Sequence, residues 1–186
     1  MGLEGDIMKY LAIIFDGFEE EEAMAPFALI RRAKGDLTIA GISNIVTGSH
    51  GIKLADVTLL SSVNPDNYDV LIIPGGGGQY KALMANKEVL KIIVDFYNKN
   101  KYLCGICAAP TVFGALGLLK GKNYTCFTSM NADFGGFYHD KGVIVDGKLI
   151  TARSVAYSID FAYAIIRETL GEETLNGVWK QIYYEK

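Results

Sequence analysis

The chain has 186 residues, half of them apolar, with 18 Lys+Arg against 21 Asp+Glu, 3 Cys and 2 His. That is the size of one domain, with enough apolar residues to bury a core without metal or disulfide staples. A net charge of −3 leaves no basic footprint for nucleic acid or an anionic membrane. Three cysteines are wrong for a secreted disulfide framework, and two histidines, His50 and His139, leave little room for a His-rich metal site. Any chemistry is expected to run on Cys and carboxylates.

Residues 1–8 read as an N-terminal extension reaching a second start candidate, Met8, and residues 9–186 as a single domain. Met1-Gly2 resembles a myristoylation start, but Asp6 stands where Ser or Thr is needed. The first apolar run, Leu11–Phe15, is stopped by Asp16-Gly17. It is too short to span a bilayer and lacks a cleavage site, and no other run approaches ~18 apolar residues. The Asn123-Tyr124-Thr125 sequon has no secretory signal to give it meaning. A cytoplasmic setting is expected.

Along the chain, short apolar strands alternate with helix-length segments, the pattern of a parallel α/β sheet. Lys9–Phe15 is a strand covered on both faces. Glu19–Lys34 reads as a helix closed by Gly35, with Pro26 implying a kink or a late start. Leu37–Ile42 is a second strand, and Ile45–Leu60 a hairpin excursion broken at Gly48-Ser49-His50-Gly51. Tyr68–Ile73 is a buried strand running into Pro74 and four glycines. Asn86 caps a helix over Lys87–Asn98 whose Val89, Ile92, Ile93 and Phe96 share one stripe. Tyr102–Ile106 is a strand ending at Cys107, followed by a small-residue helix from Ala108 to about Leu116. Asp146-Gly147 signals a two-residue hairpin between Val143–Val145 and Lys148–Thr151. Ser158–Leu170 places Ile159, Ala162, Ile166 and Leu170 on one helical face and stops at Gly171; a last helix covers about Glu172–Tyr184. The sum is an α/β, flavodoxin-like three-layer sandwich with a mostly parallel central sheet.

In such a sheet, ligands bind outside the carboxyl ends of the strands. Three segments follow strands directly. Gly105-Ile106-Cys107-Ala108-Ala109 is a strand, a nucleophile candidate and a helix with small neighbours, the cysteine form of a nucleophile elbow. A helix N-terminus there would favour the thiolate. The bland alternative is a buried structural cysteine. Cys104-Gly105-Ile106-Cys107 also spells C-x-x-C, but Cys104 falls inside the apolar strand, which weighs against a dithiol pair. Gly75–Gly78 fits neither a Walker loop nor a dinucleotide fingerprint, leaving an oxyanion hole facing the elbow or a flexible turn. In the run Glu19-Glu20-Glu21-Glu22, three carboxylates read as a solvated helix start, while one pointing back over the strand ends would reach Cys107. Periodicity does not pick which.

The order DGFEEEEAMAPFALIRRAKG, YDVLIIPGGGG, LCGICAAPTVFGALGLL, VDGKLITARS and IDFAYAII, from about Lys9 to the C-terminus, resembles the ThiJ/PfpI family of the class I glutamine amidotransferase-like superfamily. It is most similar to the ThiJ-type branch close to the Parkinson-disease-associated protein deglycase. The resemblance implies the reactive cysteine at Cys107 and, four residues before Pro26, a protonated carboxyl at Glu22. It also implies backbone oxyanion donors at Gly75, Gly76 and Ala108, and a homodimer. Protease-type members carry a His directly after the Cys; Ala108 here argues against a peptidase. Animal members carry a pocket His where Phe127 or Cys126 stands, and His50 takes the place of a family Arg at a rim or dimer contact. Ser154-Val155-Ala156-Tyr157 replaces a common Gly-Pro-Gly-Thr and reshapes a pocket wall. His139 reads as surface.

The resemblance implies a cysteine-dependent enzyme, a hydrolase or lyase of the deglycase or cofactor-independent glyoxalase type. It would act on reactive 2-oxoaldehydes or their early protein or nucleotide adducts, with no cofactor and no metal. The alternative is an oxidation-sensing or chaperone-like stress protein in which Cys107 stops at the sulfinic acid.

Overall fold

Each central strand carries apolar side chains on both faces, so each face must be covered by helices. The structure is a computed structural model in which residues 7–185 are described. Most of the expected extension, with its myristoylation-like start, lies outside the described residues. The strands are β1 (Lys9–Ile13), β2 (Asp36–Gly41), β3 (Val46–Thr47), β4 (Lys53–Leu54), β5 (Thr58–Leu59), β6 (Val70–Ile73) and β7 (Tyr102–Ile106), then β8 (Asn123–Tyr124), β9 (Phe137–Tyr138), β10 (Val143–Asp146) and β11 (Leu149–Ala152). Seven of them form one sheet in the order β10-β11-β7-β6-β1-β2-β5, parallel throughout except for β10 against β11. The five strands β2-β1-β6-β7-β11 run 2-1-3-4-5 in order of appearance, the flavodoxin-like arrangement, with its switch point between β1 and β6.

Alternation within the strands divides the core in two. Tyr10, Ala12, Val70 and Ile72 pack under α1 (Glu20–Arg32), α5 (Ser158–Leu170) and α6 (Glu172–Gln181). Leu11, Ile13, Leu71 and Ile73 pack under α2 (Gly77–Ala85), α3 (Lys87–Asn98) and α4 (Ala109–Ala115). Among the described residues, no helix is long and apolar enough to cross a membrane.

Several elements fall where the sequence places them. Asn86 Oδ1 accepts the Glu88 and Val89 N–H groups at 3.1 Å, and the buried residues of α3 are Val89, Ile92, Ile93 and Phe96. Others differ. Pro26 neither delays nor stops α1, which begins at Glu20 and runs through it with Pro26 buried; the missing proline N–H leaves the Glu22 carbonyl without its helical donor. In α5 the buried residues are Ser158, Phe161, Ala162, Tyr163, Ala164, Ile165 and Ile166, so Ala162 and Ile166 are buried as expected, while Ile159 is exposed and Leu170 half-buried. Asp146 pairs with Leu149, so the hairpin turn is Gly147-Lys148, one residue later than expected, with Gly147 at φ +60°. Within the excursion, β3 and β4 form the expected hairpin, but β5 leaves it to extend the main sheet beside β2.

The glycine run is not a loop throughout. Gly76, at φ +107°, caps α2, which starts at Gly77. The fully buried amide of Gln79 ties this start to the sheet. It accepts the Phe15 N–H at 2.6 Å and donates to the Ile13 and Pro74 carbonyls at 3.0 and 3.1 Å. Gly17 and Gly78 meet so closely that a Cβ on Gly17 would lie 2.6 Å from the Gly78 Cα. The ends of β1 and β6 are thereby drawn together at the switch point.

Candidate active site

β7 delivers Cys107 at φ +62°, a left-handed conformation that a side chain adopts only under constraint. Two long-range backbone bonds impose it. The Cys107 N–H donates to the Ala152 carbonyl at 2.9 Å, and the Cys107 carbonyl accepts the Phe127 N–H at 2.8 Å. Small neighbours make room: a Cβ on Gly105 would meet the Phe113 ring at 2.6 Å. The elbow expected from the sequence is present, with Cys107 half-buried and Cys104 fully buried in β7. All three cysteines are free thiols.

Of the four glutamates, Glu22 reaches Cys107. Its side chain is 1% exposed. Oε2 accepts the Gly75 N–H at 2.9 Å, and the carboxyl shares a hydrogen bond with the Cys107 thiol. Burial, against the hydrogen bonds from Cys107 and Gly75, pushes the Glu22 carboxyl up to about 7. Burial, followed by the neighbouring Glu22, pushes the Cys107 thiol far above its ordinary value, and only the Ala108 N–H opposes this. The expected thiolate-favouring helix terminus is therefore opposed by burial, which pushes the thiol up, while the Glu22 carboxyl at about 7 is placed to give or take a proton near neutral pH. Gly75, expected as an oxyanion donor, instead directs its N–H to Glu22. Gly76 and Ala108 line the cavity over the thiol.

Glu20 is the residue the sequence reading missed. It was grouped with the solvated glutamates, yet it is 5% exposed. Its Oε1 accepts the His50 and Ile52 N–H groups at 2.8 and 3.3 Å, and its Oε2 meets His50 Nδ1 at 2.9 Å. Burial works against ionisation, but these bonds, His50's side chain foremost, hold the carboxyl down at about 2. His50 is in turn pushed up, by Glu20 first and then Glu19, whose carboxylate lies 3.4 Å away. The β3–β4 hairpin is thus clamped onto the start of α1, with His50 at the cavity mouth. Donor atoms of Glu19, Glu20 and His50 lie within 4.8 Å of one another, but both Glu20 oxygens already serve the hairpin, so the group is an ion-pair clamp.

The cavity over Cys107 measures about 730 Å³. Its acidic side is Glu19–Glu22, and its other walls are Ile52, Tyr80, Phe127, Met130, Ser154 and Val155. Phe127 lines it, whereas Cys126 is fully buried beneath. Ser154 and Val155 form a wall, as expected. His139 stands apart, with Nε2 2.7 Å from Asn123 Oδ1.

The sequence profile of the DJ-1/PfpI family matches residues 8–168. The chain is 36% identical over 169 residues to Protein DJ-1 homolog B of Arabidopsis thaliana, covering 89% of this chain but only 39% of that protein's length. It is 33% identical over 175 residues to Protein dj-1beta of Drosophila melanogaster, covering 91% of this chain and 94% of that one. The crystal structure of Drosophila DJ-1beta superposes with a TM-score of 0.89 at 31% identity, over 96% of this chain and 99% of that one. Deglycase PfpI of Pyrococcus furiosus is 27% identical over 150 residues, covering 78% of this chain and 90% of that one. The profile match over most of the chain and the near full-length Drosophila match establish that the chain belongs to the DJ-1/PfpI family.

Proposed function

We propose that the chain is a cysteine-dependent enzyme acting on reactive 2-oxoaldehydes or their early adducts with protein or nucleotide amines, protecting against carbonyl stress. The observation that carries this reading is the Glu22 carboxyl, buried against the Cys107 thiol and held near 7. A carboxyl so placed is matched to moving protons at neutral pH. The name deglycase on a 27% identical relative adds support. The reading includes a homodimer, as the family resemblance implies, and a cytoplasmic setting.

In this mechanism the Cys107 sulfur adds to the aldehyde carbon as its proton passes to the Glu22 carboxylate. Ionised Glu22 compensates for a thiol that does not ionise by itself. The Gly76 and Ala108 N–H groups receive the developing oxyanion, each such donor being worth roughly 3 kcal/mol. Protonation of that oxygen gives a hemithioacetal. Glu22 then carries the proton of the same carbon to the neighbouring ketone carbon through an enediol, leaving a thioester. Water hydrolyses the thioester to the 2-hydroxy acid and returns the thiol. One water is consumed, the aldehyde carbon is oxidised and the ketone carbon reduced, so no outside oxidant is needed. The test is lactate formation from methylglyoxal by the wild type, Cys107→Ala and Glu22→Gln. Both variants should lose at least about 100-fold in kcat/KM; wild-type rates in Cys107→Ala would refute the mechanism.

A further inference from the structure

Methylglyoxal has a single methyl beyond its two carbonyl carbons, yet the cavity over Cys107 is about 730 Å³. Pockets of that size enclose ligands the size of a drug molecule. Beside the glutamates, apolar side chains line it: Ile52, Tyr80, Phe127, Met130 and Val155. Phe127 is 42% exposed and Ile52 61% exposed, so both offer apolar surface for an apolar substituent to cover. Charge narrows the choice further. Among the described residues, no Lys or Arg lines the cavity, and its one cationic group, His50, is held by Glu20 and Glu19. An anionic carbonyl compound would meet Glu19 and Glu21 with nothing to neutralise it.

We propose that the site selects neutral 2-oxoaldehydes carrying a bulky apolar substituent, an aryl or branched alkyl group on the ketone carbon, over methylglyoxal and over anionic carbonyls, with Phe127 and its neighbours as the specificity wall. This rests on the cysteine-dependent reading of the same site. The substituent leaves the reacting atoms unchanged: phenylglyoxal plus one water gives mandelate by the steps written above. It covers the apolar wall, and one buried ring is worth roughly 10–100-fold in binding.

Two arms test the proposal. In the turnover arm, kcat/KM is compared for phenylglyoxal, methylglyoxal and 4-carboxyphenylglyoxal, an anionic 2-oxoaldehyde with the same reacting atoms. Phenylglyoxal is expected above methylglyoxal by at least about tenfold, and 4-carboxyphenylglyoxal below phenylglyoxal by a similar factor. Phe127→Ala and, as a second variant, Val155→Ser should each shrink the phenyl-to-methyl ratio. Phe137→Ala, an exposed aromatic outside the cavity, should leave the ratio unchanged. In the binding arm, calorimetry on Cys107→Ser compares 2-hydroxyacetophenone with hydroxyacetone, neither of which needs turnover. Tighter binding of the aryl ketol by tenfold or more supports the proposal even if no mandelate or lactate forms, and in that case only the catalytic reading fails. Equal affinities, or a phenyl-to-methyl ratio near one in an active enzyme, would overturn the proposal while leaving the catalytic reading standing.

Discussion

Replacing Glu22 by Gln should make the protein more stable at neutral pH. The amide keeps an oxygen to accept the Gly75 N–H and removes a charge that the site does not solvate. In the unfolded chain this carboxyl titrates near 4.5, and in the folded protein at about 7. Between those values the folded state holds a proton that the unfolded state has lost, so wild-type stability falls as pH rises through the window. At ~1.4 kcal/mol per pH unit the full effect is about 3 kcal/mol. The Cys107 thiol does not blur it, because its ordinary value of 9.0 lies above the window and burial only raises it. The His50–Glu20 clamp is present in both proteins and drops out of the difference. The assay is urea unfolding of wild type and Glu22→Gln at intervals from pH 4 to 8.5. The stability difference should grow in favour of the variant from about pH 4.5 and level off above about 7. A difference that stays flat across the window, or that grows in favour of the wild type, would refute the claim that Glu22 is held protonated by burial.

Two further outcomes concern the buried Gln79 amide and the exposed His50 ion pair. Gln79→Leu strips the Phe15 N–H of its acceptor and the Ile13 and Pro74 carbonyls of a donor. It should cost roughly 2–5 kcal/mol by urea unfolding, and a loss below about 1 kcal/mol would mean that the amide does not hold the switch point together. His50, pushed up by Glu20 and Glu19, stabilises the fold fully below its unfolded value near 6.5 and loses that contribution as pH rises through its folded value. The stability deficit of His50→Gln should therefore be present at pH 5.5 and shrink toward pH 9; a deficit independent of pH would show that the imidazole's charge plays no part.

The sheet was legible because its evidence is local. VLII and YLCGI carry apolar residues on both faces, which only a doubly covered strand permits. The elbow was legible for the same reason, since a tight turn between strand and helix restricts its own neighbours to small residues. Glu22 was not separable from its neighbours by spacing and emerged only through the family resemblance. Glu20 escaped altogether, because what buries it is a hairpin from residues 46–54 folding across the helix start. Gln79 escaped likewise: a glutamine after four glycines reads as loop until the ends of β1 and β6 are seen to share its amide. The upward push on the Cys107 thiol was not legible because the helix terminus is visible in the sequence, whereas the desolvation that opposes it is a property of the assembled walls.

The bonds that bracket Cys107 also bear on when the chain acquires its chemistry. They come from Ala152, 45 positions later in the chain, and from Phe127, 20 positions later. Neither partner is in place until β11 has joined β7 and the segment after β8 has crossed the elbow. A nascent or partly unfolded chain therefore carries an ordinary cysteine in an ordinary backbone, with no buried carboxyl against it. Reactivity of the kind proposed here requires both long-range contacts, so any local opening that frees Ala152 or Phe127 also releases the nucleophile's geometry.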